Sequence, residues 1–190
     1  MPKKIVILNG SPRKNGNTSA LVQAFREGAE SAGHTVTEFH LASMDIHPCK
    51  GCWGGGKDSA HLCVQRDDME QIYPAYKEAD IVVLASPLYY WTISGQLKMT
   101  FDRLFAVAEE SADYANPIKE SVLLMAAEGN GFEESEYWYD RLMNHLAGRA
   151  WEKFFVEALS SRETFRGMPS SRKRGRWARR SAKMQRTRTI

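Results

Sequence analysis

Three continuous apolar runs stand out along the chain: Ile5 to Leu8, Ile81 to Ala85, and Val122 to Ala127. Runs of this length without alternation predict strands covered on both faces. Thr35 to Leu41 mixes β-branched, aromatic and polar positions and predicts a half-exposed strand. Phe154-Phe155-Val156 predicts a fifth. Between them the apolar period changes from continuous to helical. Leu21, Val22, Phe25 and Ala29 mark one helix, and Met69, Ile72, Tyr76 and Ala79 a second. Leu97, Phe101, Leu104, Phe105 and Ala108 mark a third, capped by Ser94. Glu133 to Ala147 marks a fourth, with Tyr137, Leu142 and Leu146 inward. Strands alternating with helices predict an α/β, doubly wound, five-stranded parallel sheet of order 2-1-3-4-5.

The connection after the first strand, Asn9-Gly10-Ser11-Pro12-Arg13-Lys14-Asn15-Gly16-Asn17-Thr18-Ser19, is longer than an ordinary turn and rich in hydroxyls and amides. It ends at a helix start, where unpaired N–H groups and the helix dipole favour an anion. Arg13 and Lys14 add charge. A phosphate site is therefore expected, with Ser11, Arg13, Asn17, Thr18 and Ser19 as its residues. Neither the dinucleotide pattern G-x-G-x-x-G nor a Walker lysine is present at this loop.

A second loop, Pro87-Leu88-Tyr89-Tyr90-Trp91, follows the strongest strand. Ligands of open α/β sheets bind at the carboxyl ends of strands. Three consecutive aromatic residues on a loop suit a flat ring that stacks and excludes water, or a partner surface. Glu128-Gly129-Asn130-Gly131 forms a third loop at the same sheet end.

These two motifs carry a resemblance. The Asn-Gly-Ser-Pro-Arg-Lys-Asn-Gly-Asn-Thr loop resembles the phosphate loop of the NAD(P)H-dependent FMN reductase family in the flavodoxin-like superfamily. Ser86-Pro87-Leu88-Tyr89-Tyr90-Trp91, then Gly95-Gln96-Leu97-Lys98 and Phe101-Asp102-Arg103, resembles that family's flavin-ring loop and following helix. The resemblance covers about residues 3–150. It implies a flavodoxin-like fold, FMN as cofactor, and NADPH or NADH as electron donor. It also implies a small-molecule electron acceptor such as a quinone, nitro compound, metal ion or flavin. Pro87, Leu88, Tyr89, Tyr90 and Trp91 would then border the flavin ring and ribityl chain. No side chain is assigned as an acid or base, because the cofactor carries the chemistry. A homodimer is expected, since relatives complete the pocket from a second subunit. The alternative is a flavin-bound electron carrier without its own nicotinamide activity. Asp102 and Arg103 are expected as a surface pair or dimer contact.

The three cysteines, Cys49, Cys52 and Cys63, all lie in the irregular segment 42–65. A zinc or iron–sulfur centre normally takes four ligands. In relatives of that family that resemble iron–sulfur flavoproteins, the spacing is C-x-x-C-x-x-C followed by a further Cys. Here Gly55 stands at the third place and three cysteines cannot complete the set; His47 and His61 are the other candidate ligands nearby, and no metal is expected. Gly51 to Lys57 also fits G-x-x-x-x-G-K, but Asp58 stands where Ser or Thr is required and no strand precedes it. The segment reads as a glycine-rich excursion near the flavin or a dimer contact.

Charge then divides the chain. The net charge is +3 over 190 residues, but residues 160–190 hold eleven Lys/Arg and one Glu. The remainder holds fifteen Lys/Arg and twenty-two Asp/Glu, a balance of −7. The expected organisation is an FMN-binding domain over 1–159 and a basic, irregular tail over 160–190. Read one base earlier, synonymous codons for Arg162 onward can spell G-D-I-Q-G-N-A-F-E-Q-E-A-R-E-M-G-K, which resembles the last loop and helix of the family. A frameshifted end is one reading of the tail. A nucleic-acid arm is the other, disfavoured by the acidic body and the lack of a binding motif. No apolar run approaches the roughly 18 residues of a membrane span. With no secretion signal and an odd number of cysteines, a cytoplasmic setting is expected.

Overall fold

Ile5, Ile7, Ile81, Val83, Ala85, Val122 and Leu124 are buried on one side of a sheet, against Val22, Phe25 and Ala29 of the first helix. Val6, Leu8, Val82, Leu84, Leu123 and Met125, the alternate positions, are buried on the other side. Both sets are apolar because helices cover both faces, which is why the strands read as continuous runs rather than alternating ones. The computed structural model describes residues 1–116, 120–129 and 131–146, and the backbone of Arg149–Glu157.

The strands are β1 (Lys4–Asn9), β2 (Thr35–His40), β3 (Ile81–Pro87) and β4 (Glu120–Ala127). All pair in parallel, in the order β2-β1-β3-β4. The backbone of β5 (Arg149–Glu157) runs parallel to β4 on its outer side. The helices are α1 (Asn17–Ser31), α2 (Met69–Glu78), α3 (Gly95–Arg103), the single turn α4 (Phe105–Ala108) and α5 (Glu133–His145). Residues from α2, α3, α4 and α5 share the second core cluster, while α1 covers the first. This is a doubly wound sheet, so the loops after β1, β3 and β4 all emerge at one end.

Of the expected inward residues of α5, Leu142 and Leu146 pack against the second core, but Tyr137 does not. Ser135, Tyr139 and Met143 are its buried residues, whereas Tyr137 is 65% exposed. The stripe at 135, 139 and 143 mixes a serine and a tyrosine with one aliphatic residue, so hydropathy alone does not reveal its phase. The fragment 44–68 has neither helix nor strand, as its composition implies. It is still anchored, because Ile46 and Leu62 are buried in the second core. The basic tail, the frame of the residues that follow Ser160, and Asn130 lie outside the described residues.

Candidate functional site at the carboxyl end of the sheet

The first loop begins where β1 ends. The Gly10 N–H donates to the carbonyl of Ala85 on β3 at 2.8 Å. The buried Asn9 amide oxygen accepts the Ser11 N–H at 3.0 Å, turning the chain away from the sheet. The Ser11 hydroxyl donates to the carbonyl of Arg13 at 2.9 Å and accepts that residue's N–H at 3.2 Å. The Ser19 hydroxyl also donates to the Arg13 carbonyl, at 2.8 Å. Ser11 and Ser19, both expected as ligand contacts, thus act here on the loop's own backbone. They curl it so that Arg13 and Lys14 stand exposed at its rim.

The loop delivers the start of α1 at Asn17. Its N-cap is Gly16, with no side-chain cap and no acid in the first turn. The N–H groups of Asn17, Thr18 and Ser19 have no acceptor within the helix. A helix end left bare, next to two cations, favours an anion with several acceptor oxygens. Thr18 is buried and Asn17 is half-buried, both at this end. Arg13 is exposed in the same loop, four residues before Asn17.

The second loop is a tight hairpin. The Tyr89 N–H donates to the Thr92 carbonyl at 3.0 Å, and the Thr92 N–H returns a bond to Tyr89 at 3.1 Å. The two residues between, Tyr90 and Trp91, have φ of 48° and 61°. Both lie in the left-handed region, as a two-residue turn of the primed type requires. Such positions normally take Gly or Asn, and a bulky side chain there costs about 1–3 kcal/mol. Tyr90 is 91% exposed and Trp91 59%. The strain thus presents two aromatic rings to solvent rather than burying them. Pro87 is buried at the strand end and Leu88 is half-buried, its N–H bonded to the Ala126 carbonyl at 2.9 Å.

Two links join these loops into one site. Ser94 caps α3 by accepting the Leu97 N–H at 3.3 Å, and its hydroxyl donates to the Gly10 carbonyl at 2.8 Å. Its own N–H is held by the Ser86 hydroxyl at 2.8 Å. All of these groups are buried, so the first loop is fastened to the end of the second. On the far side, Ser135 of α5 donates to the Trp91 carbonyl at 2.9 Å, and the Trp91 ring lies beside Gly131 of the third loop. Ser94 was legible in the sequence as a cap. Asn9, Ser86 and Ser135 were not, since an isolated buried polar residue has no periodic signature.

Arg103 corrects an expectation. It is not a surface residue and does not pair with Asp102, which instead bonds Lys98 one turn back at 2.6 Å. The Arg103 side chain is 1% exposed and forks onto the Asp67 carboxylate at 2.5 and 3.1 Å, with a further bond to the His47 carbonyl at 2.8 Å. Asp67 also accepts the N–H groups of His47 and Met69. Burial pushes the Asp67 carboxyl upward, but the guanidinium and these two N–H groups outweigh it and hold the carboxyl below its ordinary range. The pair fastens the cysteine segment to α3.

The fold and loops define a class: an open α/β domain with an uncapped helix terminus and an exposed aromatic hairpin at the same strand ends. The sequence profile of the NADPH-dependent FMN reductase family matches residues 3–149, and the chain belongs to that family. An iron-sulfur flavoprotein of Archaeoglobus fulgidus is 41% identical over 101 residues, covering 53% of this chain and 45% of that protein. An iron-sulfur flavoprotein of Methanosarcina thermophila is 30% identical over 132 residues, covering 70% of this chain and 68% of the relative. The matches span about half the length of several of these curated relatives. The solved NAD(P)H:quinone oxidoreductase of Methanothermobacter marburgensis superposes with a TM-score of 0.63 at 17% identity, over 100% of both chains, and so shares the fold. No helix among the described residues is long and apolar enough to cross a membrane.

Proposed function

We propose that this protein is an FMN-containing oxidoreductase that takes electrons from NADPH or NADH and passes them to a small acceptor. The observation that carries this reading is the convergence of an uncapped, cation-flanked helix start with a strained aromatic hairpin, joined through Ser94. The FMN phosphate would meet the N–H groups at Asn17 to Ser19, with Arg13, Asn17 and Thr18 beside it and Ser11 and Ser19 shaping the loop. Pro87 and Leu88 would line the ribityl side. Tyr89, Tyr90 and Trp91 would wall the isoalloxazine and keep water from it. When bound, FMN supplies the hydride and electron chemistry. The chain's own residues bind, orient and shield.

Residues 1–159 form the flavin domain in this reading, with β5 as the fifth strand of the order 2-1-3-4-5. The exposed Tyr90 and Trp91 side chains favour a homodimer in which a second copy covers them. Light scattering of the FMN-loaded protein tests that part directly.

The decisive experiment is the visible spectrum of the purified full chain with added FMN, followed by anaerobic NADPH and then NADH. Flavin bands that stay with the protein through desalting and bleach with either donor are the expected result. Bands that persist with both donors would leave an electron carrier instead. No retained flavin would overturn the reading.

A further inference from the structure

The relatives matched above carry an iron–sulfur centre in their names, and this chain has a cysteine loop within the residues 3–149 that the family profile matches. The loop's donors can be counted completely, because all three cysteines and all five histidines of the chain fall among the described residues. Cys49 and Cys52 are exposed, Cys63 is half-buried, and all three are free thiols. They line one cavity of 260 Å³ together with Trp53, Phe105 and Glu109. Among the described residues no three His, Cys, Asp or Glu side chains are placed to share a metal ion.

A fourth thiol at the next C-x-x-C step would have to come from position 55. That position is filled from the other side. The Gly55 N–H donates to the Glu109 carboxylate at 3.0 Å. A Cβ on Gly55 would lie 2.2 Å from that carboxylate oxygen and 2.8 Å from the Cα of Ala106. A flexible carboxylate could swing aside, but the backbone of α4 could not. The next residue makes the same point. Gly56 has φ of +69°, and a Cβ there would lie 2.3 Å from the Glu109 carbonyl carbon. The loop backbone thus lies directly on the end of α4, and only a chain without side chains at both positions approaches so closely. The approach is held by the Arg103–Asp67 fork, which fixes the loop's other end to α3.

We infer that this chain keeps the flavin site of its relatives without a four-thiolate iron–sulfur centre, so that electrons leave at the flavin cleft to a two-electron acceptor such as a quinone. The second half rests on the proposed flavin function; the first does not. The balance closes without a relay. The nicotinamide loses a hydride, and the quinone gains two electrons and two protons, one from the hydride and one from water.

Two measurements on the full chain, purified with added FMN, test it. The first is anaerobic reconstitution with ferrous iron and sulfide, desalting against a chelator, and assay of iron, sulfide and thiols. The expected result is less than one iron per chain, with all three thiols titrating with a disulfide reagent after denaturation and at least two before it. One or more chelator-resistant irons with equal sulfide would overturn the inference. The second is the variant Cys49→Ser/Cys52→Ser/Cys63→Ser, assayed with NADPH and a small quinone and normalised to bound flavin. Turnover within fivefold of wild type is expected. A loss of fivefold or more would overturn the direct route. If the wild-type chain retains no flavin, the function reading fails by itself and the iron assay still decides the first half.

Discussion

Replacing Ser94 by Ala tests the joint between the phosphate loop and the aromatic loop. The hydroxyl does two things: it caps α3 through the Leu97 N–H and donates to the Gly10 carbonyl. Losing an N-cap serine to alanine costs about 1 kcal/mol. Leaving the buried Gly10 carbonyl unpaired costs about 1–3 kcal/mol more. The total is about 2–4 kcal/mol. For a urea slope of about 2 kcal/mol per molar, the unfolding midpoint should fall by about 1–2 M. Ser94→Gly separates the two contributions, because glycine is within a few tenths of a kcal/mol of serine as a cap but cannot bond Gly10. Gly should therefore recover only the cap's share. FMN affinity should fall in both variants, since the freed carbonyl lets the loop before Arg13 drift from the aromatic wall. The assay is a urea titration read by far-UV circular dichroism, with flavin fluorescence for affinity. If Ser94→Ala unfolds within 0.3 M of wild type, or if Ser94→Gly behaves as wild type in both readouts, the proposed joint does not exist.

Asp67→Asn should destabilise the protein by about 3–5 kcal/mol, because it leaves the buried Arg103 guanidinium unmatched. The Asp67 carboxyl is held below its ordinary value, so its contribution is complete above an unfolded pKa of about 3.9 and is lost as pH falls through the lower folded value. Acid titration of wild type should show this loss, and the variant's stability should be flat over the same range. Tyr90→Gly should raise the melting temperature of the flavin-free protein by relieving the φ of 48°, a gain of about 1 kcal/mol, while weakening FMN binding. A lower melting temperature would show that the exposed ring contributes to folding. Gly10→Ala should cost about 1–3 kcal/mol by overpacking, since its Cβ would lie 2.5 Å from the Ser94 hydroxyl and 2.7 Å from Leu97; thermal melts would reveal an unexpectedly tolerant site.

Much of the domain was legible before any coordinate. Strands buried on both faces appear as continuous apolar runs, and their alternation with helical periods leaves few topologies. The order of the four strands β2-β1-β3-β4 follows from those rules. The long loop between β1 and α1 was legible because its length, hydroxyls and helix start lie together in the chain. So was the Ser94 cap, a local signal three residues before the N–H it accepts.

What the sequence could not show is what depends on residues far apart in the chain. Arg103 looks like half of an acid–base pair on a helix surface, and only packing reveals that it is buried against Asp67, 36 positions earlier. Ser11 and Ser19 both donate to the Arg13 carbonyl, a pairing that no local signal in the sequence shows. Tyr90 and Trp91 give no local hint of left-handed geometry, because the hairpin is imposed by the strand end and by Ser135, which comes from a distant helix. The glycines at 55 and 56 read only as part of a glycine-rich excursion until α4 is seen lying against them. Local propensity and periodicity belong to the chain itself. Burial, close backbone approach and the pairing of distant charges exist only once the chain has folded, because they join residues that lie far apart in the sequence.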